Sequence, residues 1–289
     1  MVETYGQDEN RFYYIEEATP GVTPTVTPAM LSVPCTKIDP GFNPSNILLR
    51  GAGSYDLQAI KKGLFKPSLK IDYIVPSEAP INLLQYVKTD LDKTLSAQVL
   101  FHKGTWASPT DIISLLYNYL RVGTALVSCE IDDVVKASMS LIGQNLTTGT
   151  AKLTDATYGD YSGAIGFDET YVKIDTVANE RIAGWRFDIN TNPKRIPVIR
   201  STNGHLAKYV SFGKRELGGE ITFEFESKTE MDAALADTEF DLEFGLYGTN
   251  KATFSDCKWT DISHQQWLED LICVKAQFDC KGPLAIAAS

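Results

Sequence analysis

Histidine is scarce in this 289-residue chain: His102, His205 and His264 are the only three, and they lie far apart. None has a second histidine four residues away, the spacing that sets two metal ligands on one helix face, so metal chemistry and imidazole acid-base catalysis have little to work with. The five cysteines, Cys35, Cys129, Cys257, Cys273 and Cys280, include no CxxC pair, which removes the usual zinc and redox motifs. Basic charge is also short. With 27 lysines and arginines against 37 acids the formal charge is −10, a balance that argues against tight phosphate binding. The longest apolar region, IISLLYNYLRVGTALV, is interrupted by Asn118, Arg121 and Thr124 and is too short to cross a bilayer. The opening MVETYGQDENRFYY has neither the basic start nor the apolar stretch of a signal peptide. With an odd number of cysteines, the expectation is free thiols in a reducing compartment.

Catalytic and nucleotide motifs are missing as well. GDYSG lacks the spacing of a GxSxG nucleophile elbow, GAGSYD (51–56) lacks the third glycine of a dinucleotide loop, and FGKRELGG puts its lysine in the wrong place for a P-loop. Carboxylates are numerous enough for a glycosidase pair, but nothing in the sequence sets two of them at the required separation. Asn145-Leu146-Thr147 has the form of a glycosylation acceptor, which has no consequence in a cytoplasmic setting. The residues therefore point to no enzyme, no cofactor and no metal.

What the chain does have is alternation. SLKIDYIV sets Leu69, Ile71, Tyr73 and Val75 against Lys70 and Asp72, and TLSAQVLFH sets Leu95, Ala97, Val99 and Phe101 against Ser96 and Gln98. Both predict half-buried strands. ALVSCEIDDVVKASMSLIGQNL predicts a hairpin turning at Asp132 and Asp133, and GWRFDIN, EFDLEFGLY and ICVKAQFDC continue the period of two. GGEITFEFES is the clearest case: Glu220, Thr222, Glu224 and Glu226 lie on one side, Ile221, Phe223 and Phe225 on the other. Eight to ten strands are expected.

Helical signals are fewer. Ser108 as N-cap, Pro109 at the first helical position and apolar Ile112, Leu115, Leu116, Tyr119 and Leu120 predict a helix over 108–120. SEAPINLLQYV and TEMDAALAD predict two shorter ones. Residues 17–46 hold six prolines, each removing a backbone donor, which predicts an extended arm or long surface loop.

The order of these segments resembles the tail tube proteins of tailed phages and archaeal tailed viruses, relatives of the type VI secretion tube protein. A proline- and threonine-rich entry is followed by the SCEIDDVVKASMSLIGQNL hairpin, GWRFDINTN, then GGEITFEFES, a short helix, EFDLEF and the closing HQQWLEDLICVKAQFDCKG; the likeness covers roughly residues 65–283. It implies a mainly β fold, a tail-tube-type β-barrel or sandwich with a flanking α-helix, long loops and an extended N-terminal arm. Residues 1–64 would be the arm and loop, and 65–289 the tube-like domain with an insertion at about 147–181. It implies hexameric rings stacked into a tube that conducts DNA without specific binding, in contact with tail terminator, tape measure and baseplate or sheath proteins, in a virion tail assembled in the host cytoplasm.

On this resemblance Glu220, Thr222, Glu224, Glu226, Asp241 and Glu243 are candidates for the lumen. Pro20, Val22, Pro24, Val26, Pro28, Leu57, Leu64 and Phe65 are candidates for contacts between rings. A secretion-type tube protein and a monomeric β-sandwich binding module stand as alternatives.

Overall fold

The computed structural model describes residues 9–51, 56–87, 93–224, 228, 231–232, 235–265 and 273–287. Strands β1 (Asn10–Glu17), β2 (Ala29–Ser32) and β3 (Cys35–Asn43) come first, then a separate hairpin of β4 (Ile47–Arg50) and β5 (Leu57–Lys61), then β6 (Lys66–Ile74). A 3-10 turn at Leu84–Val87 leads into β7 (Thr94–Thr105), β8 (Ser108–Glu130), β9 (Lys136–Ile142), β10 (Asn145–Gly149) and β11 (Thr157–Asp160). A second such turn, Phe167–Glu169, precedes β12 (Thr170–Ile174), β13 (Val177–Ala178) and β14 (Ile182–Asn190). The hairpin of β15 (Lys194–Ile196) and β16 (Tyr209–Ser211) follows, then β17 (Glu216–Glu224), β18 (Phe240–Leu246), β19 (Lys251–Gln265), β20 (Cys273–Cys280) and β21 (Leu284–Ala287).

Two long strands organise these pieces. The first half of β8 pairs with β7 and β10, in a sheet ordered β11-β2-β1-β7-β8-β10. Its second half pairs with β9 and β14, in a larger sheet ordered β3-β6-β9-β8-β14-β17-β20-β19-β18-β12-β13. The corner falls at Tyr119, whose φ of 54° is in the left-handed region. In the same way β19 turns at Asp256, φ 53°, so that its first half pairs with β18 and β21 and its second half with β20. The larger sheet therefore curls back over itself. Phe187 on β14 meets Phe244 on β18 at 5.1 Å and Phe254 on β19 at 5.2 Å, although β14 and β18 are not neighbours in the sheet. Among the described residues the hydrogen-bonded network of 17 strands does not close on itself, so the architecture is a sandwich rather than a barrel.

Alternation explains most of these strands. Leu69, Ile71 and Tyr73 on β6 and Ile221 and Phe223 on β17 are buried, and the positions between them are not. β7 departs from that pattern: Ser96 and Gln98 are as buried as Ala97 and Val99. Its second face is covered by polar partners, with Ser96 bonded to Thr23 and Glu17, and Gln98 to Ser114.

The helix expected over 108–120 is absent. Those residues are the first half of β8, where Leu115 lies opposite Val99 and Tyr117 opposite Leu146. A strand covered in part on both faces tolerates apolar residues at helical spacing, and two ladders of backbone bonds outweigh a cap signal. SEAPINLLQYV keeps only its 3-10 turn. In TEMDAALAD, Met231, Asp232 and Leu235 are helical, and the Ala236 amide bonds the Asp232 carbonyl at 2.9 Å; Thr229, Glu230, Ala233 and Ala234 lie outside the described residues.

Contrary to the expectation of free thiols throughout, two of the five cysteines are bonded to each other. Cys257 and Cys280 face each other across β19 and β20 and are joined as a disulfide, leaving Cys35, Cys129 and Cys273 free. Burial pushes the Cys35 thiol up to about 12. The proline-rich segment is threaded through the smaller sheet by β2, which pairs with β1 and runs parallel to β11. Residues 147–181 supply β11, β12 and β13, and β12 pairs along β18.

Candidate functional site

β17 places Glu220, Thr222 and Glu224 on the outer face of one wall of the sandwich, half-buried, while Ile221 and Phe223 point into the core. Glu226 and Phe225 lie outside the described residues. The neighbouring strands bring in groups that no single segment announces. Arg186 on β14 is in register with Glu220, and Lys275 on β20 reaches the Glu220 carboxylate at 3.6 Å. Ser128, Glu130, Arg186, Glu220, Thr222 and Lys275 line a shallow groove of about 690 Å³.

Further along the same face, Asp188 and Asp279 flank Gly218 in register. Burial raises the Asp188 carboxyl; Arg186 opposes that rise and Asp279 adds to it. The face is thus rich in carboxylates with cations interleaved. Only the strand order, which local patterning does not encode, puts Arg186, Asp188, Lys275 and Asp279 beside Glu220.

Asp241 and Glu243 occupy the other wall. Because Phe244 and Phe187 point at each other from opposite layers, the polar residues of β18 and those of β14 and β17 face away from one another. Glu243 is locked in place by Lys251 Nζ at 2.6 Å, Lys173 Nζ at 3.0 Å and Tyr171 Oη at 2.9 Å. Burial pushes its carboxyl up, but the bonds from Lys251, Lys173 and Tyr171 together prevail and hold it at about 2. Asp241 accepts the Asp256 amide at 3.1 Å, next to the β19 corner. Both residues serve their own wall, so the six lumen candidates do not form one surface.

The second set of candidates collects at one end of the larger sheet. The Pro20–Pro28 turn is pinned at its base. Glu17, 4% exposed, accepts the Gly21 amide at 2.6 Å, the Tyr119 amide at 2.8 Å, Thr94 Oγ1 at 2.5 Å and Ser96 Oγ at 2.7 Å. Thr23 joins this knot through Ser96 and Asn118. Val22 and Val26 remain exposed, whereas Pro28 is buried.

A side chain at Gly21 would lie 3.2 Å from Gln144 Oε1, and the Gln144 amide donates to the carbonyls of Ala207 and Lys208. Phe65 in turn donates its amide to the His205 carbonyl at 2.7 Å, and its ring lies tilted against that of Phe42 at 6.1 Å. Leu57 is exposed on the β4–β5 hairpin with Ile47, Leu48 and Ile60, while Leu64 is half-buried. The 191–215 excursion, with Ile199 fully exposed at its tip, completes this end and carried no recognised motif.

Among the described residues no group of three or more histidines, cysteines and carboxylates is arranged to hold a metal ion. No helix among them is long and apolar enough to cross a membrane. Residues 84–283 match the phage tail tube protein family. The chain belongs to that family. The match covers more than half of the sequence and takes in β7 to β20, the β17 wall included, leaving β1 to β6 outside it. No curated protein matches the sequence. A solved structure titled "Virion of native gene transfer agent (GTA) particle" is similar over 43% of this chain and 98% of its own, with 10% identity and a TM-score of 0.36. As a tail tube protein, the chain is a structural component of a virion tail.

Proposed function

We propose that copies of this tail tube protein join into hexameric rings, and that the rings stack into a tube through which genome DNA is ejected. The β17 wall is assigned to the bore, with Glu220, Thr222 and Glu224 on its inner surface. The observation that carries the reading is that wall: a broad outer sheet face, inside the family match, on which Asp188, Glu220, Glu224 and Asp279 surround Arg186 and Lys275. Asp241 and Glu243, on the opposite wall, belong to the outer side of the ring in this arrangement.

Ring formation has a physical motive. Among the described residues β3 and β13 each pair on one side only, and unpaired ladder groups at such edges are satisfied when a neighbouring copy extends the sheet. The lining follows from what a conduit must avoid. Non-specific contacts hold DNA with affinities on the order of 10⁻⁴ to 10⁻⁶ M per protein. Repeated along a tube, they act at high effective concentration and stop transit. An excess of carboxylates reverses the sign, and screening confines the repulsion to about 8 Å of the wall at physiological salt.

The tail terminator, tape measure and baseplate or sheath proteins are the partners this role requires, with assembly in the host cytoplasm. Pro20, Val22, Pro24, Val26, Leu57, Leu64 and Phe65, gathered at one end, are assigned to contacts between rings.

Negative-stain microscopy of the purified chain tests the assembly, with rings or tubes expected and a dispersed monomer counting against it. The bore is tested by E220K/E224K. Tubes of the variant should form and retain duplex DNA that wild-type tubes release. Equal release from both would remove these two glutamates from the lumen.

A further inference from the structure

Charge on this chain is sorted between the two ends of the β9-β8-β14-β17-β20 sheet. Where β14 runs out and β17 begins, residues 191–215 carry Lys194, Arg195, Arg200, Lys208, Lys214 and Arg215 and no acid at all, in a chain whose net charge is −10. This excursion is fixed to the sheet end by the Thr191 amide on Gly123 and by the Arg195 guanidinium on the carbonyls of Gly143 and Pro67. Through Phe65 and His205 it adjoins the base of the β4–β5 hairpin, which adds Lys61 and Lys62.

The opposite end has the opposite sign. The turn after β8 presents Glu130, Asp132 and Asp133, and Asp168 and Glu169 are brought beside it by the Phe167 amide on the Asp133 carbonyl, 3.1 Å. Lys136 at this end is paired with Asp133. Glu180 adds a further exposed acid next to Arg181, whose carbonyl takes the Glu224 amide at 2.8 Å.

The six steps along β8 from Thr124 to Glu130 separate the ends by about 20 Å at ~3.3 Å per residue. That is more than twice the screening length of about 8 Å at physiological salt, so neither field cancels the other within one copy. Each end also exposes apolar side chains: Ile199 at 108% and Ile47 at 52% on the basic side, Ile131 at 51% and Phe167 at 41% on the acidic side. Apolar residues among charges of opposite sign fit two surfaces that complement each other, not two that complement themselves.

We propose that the basic 191–215 end of one copy docks head-to-tail on the acidic 130–133 and 168–169 end of a second copy, and that this charge match sets the polarity of stacking. The contact is heterologous, so every added copy leaves one free end of each sign and the assembly propagates in one direction. Like ends repel, which disfavours inverted stacking. The inference rests on the tube reading above and specifies the surfaces by which successive rings meet.

The test uses the full chain and sedimentation velocity with electron microscopy. Wild-type polymer should shorten as salt rises from about 0.05 M to about 1 M, where the screening length falls to ~3 Å. K194E/K214E and E130K/E180K, none of which breaks a described side-chain bond, should each leave separate rings at low salt. Mixed together, the two variants should regain polymer at least tenfold over either alone, as an alternating stack: the acidified end of the first meets the basified end of the second, and the remaining junctions are native. That recovery also reports that both variants fold.

Polymer indifferent to salt and to both variants, or a mixture that stays as separate rings, overturns the inference while leaving the tube reading intact. No wild-type polymer under any salt overturns both. Capture of a short DNA duplex by wild type, lost in K194E/K214E with stacking unchanged, assigns the basic end to nucleic acid and overturns the inference.

Discussion

Replacing Glu17 should unfasten the corner at which the two sheets share β8. Its carboxylate is 4% exposed and receives four donors: the Gly21 and Thr94 groups on Oε2, and the Ser96 and Tyr119 groups on Oε1. In Glu17→Gln one oxygen keeps its two donors, and the new amide nitrogen faces the other two. A hydroxyl can rotate to accept from that nitrogen; a backbone N–H cannot. One buried N–H is therefore left without an acceptor, a loss of ~1–3 kcal/mol, and charge-assisted bonds worth ~1.5–3 kcal/mol each become neutral ones. Relief of the desolvation of a buried charge offsets part of this. The net expectation is about 2–3 kcal/mol for Glu17→Gln and about 4 kcal/mol for Glu17→Ala, which strands both amides. Urea unfolding measures the totals, and hydrogen exchange at Gly21 and Tyr119 reads the site directly. A Glu17→Gln protein within about 0.5 kcal/mol of wild type, with both amides still protected, would refute the claim that this knot holds the corner.

Three further perturbations address other parts of the sandwich. Glu243 has its carboxyl held at about 2 in the folded chain against an ordinary 4.5, so its contribution is complete above pH 4.5 and drains away as pH falls towards 2. Acid titration of E243Q should show lower stability at neutral pH and a flatter acid limb, and an acid midpoint identical to wild type counts against the lysine clamp. Reducing the Cys257–Cys280 bond, which closes a loop with a sequence separation of 23, should cost about 3 kcal/mol, and thiol titration of the unreduced, unfolded chain should find three reactive groups. At Gly219 an added Cβ would sit 2.7 Å from the Phe278 ring and 2.9 Å from the Phe187 backbone, so Gly219→Ala should lose at least ~2 kcal/mol in thermal unfolding, and a neutral result would show that β17 can shift.

Patterning within one segment was readable; relations between segments were not. The faces of β6, β14, β17, β18 and β20 follow from their period of two, and the turn at Asp132 follows from its acidic pair, Asp132 adopting a φ of 61°. The 108–120 stretch misled because Ser-Pro and helical spacing are local cues, whereas its conformation is set by pairing with β7 and β10. The buried polar residues of β7 looked solvent-facing because Glu17, Thr23 and Asn118 reach them from far along the chain. Acidic alternation is identical on β17 and β18, so pattern alone groups Asp241 and Glu243 with Glu220; the fold of β19 at Asp256 sends them to opposite walls. The disulfide is likewise a matter of register between β19 and β20.

A layer that is only packed on its neighbour can slide or peel away under load. Here the backbone itself crosses from one layer to the other, along β8 through Tyr119 and along β19 through Asp256, so tension on either sheet is carried by covalent bonds into the next. Separating the layers requires stripping a long strand from partners on both of its edges, which makes a subunit built this way stiff against shear along a tail.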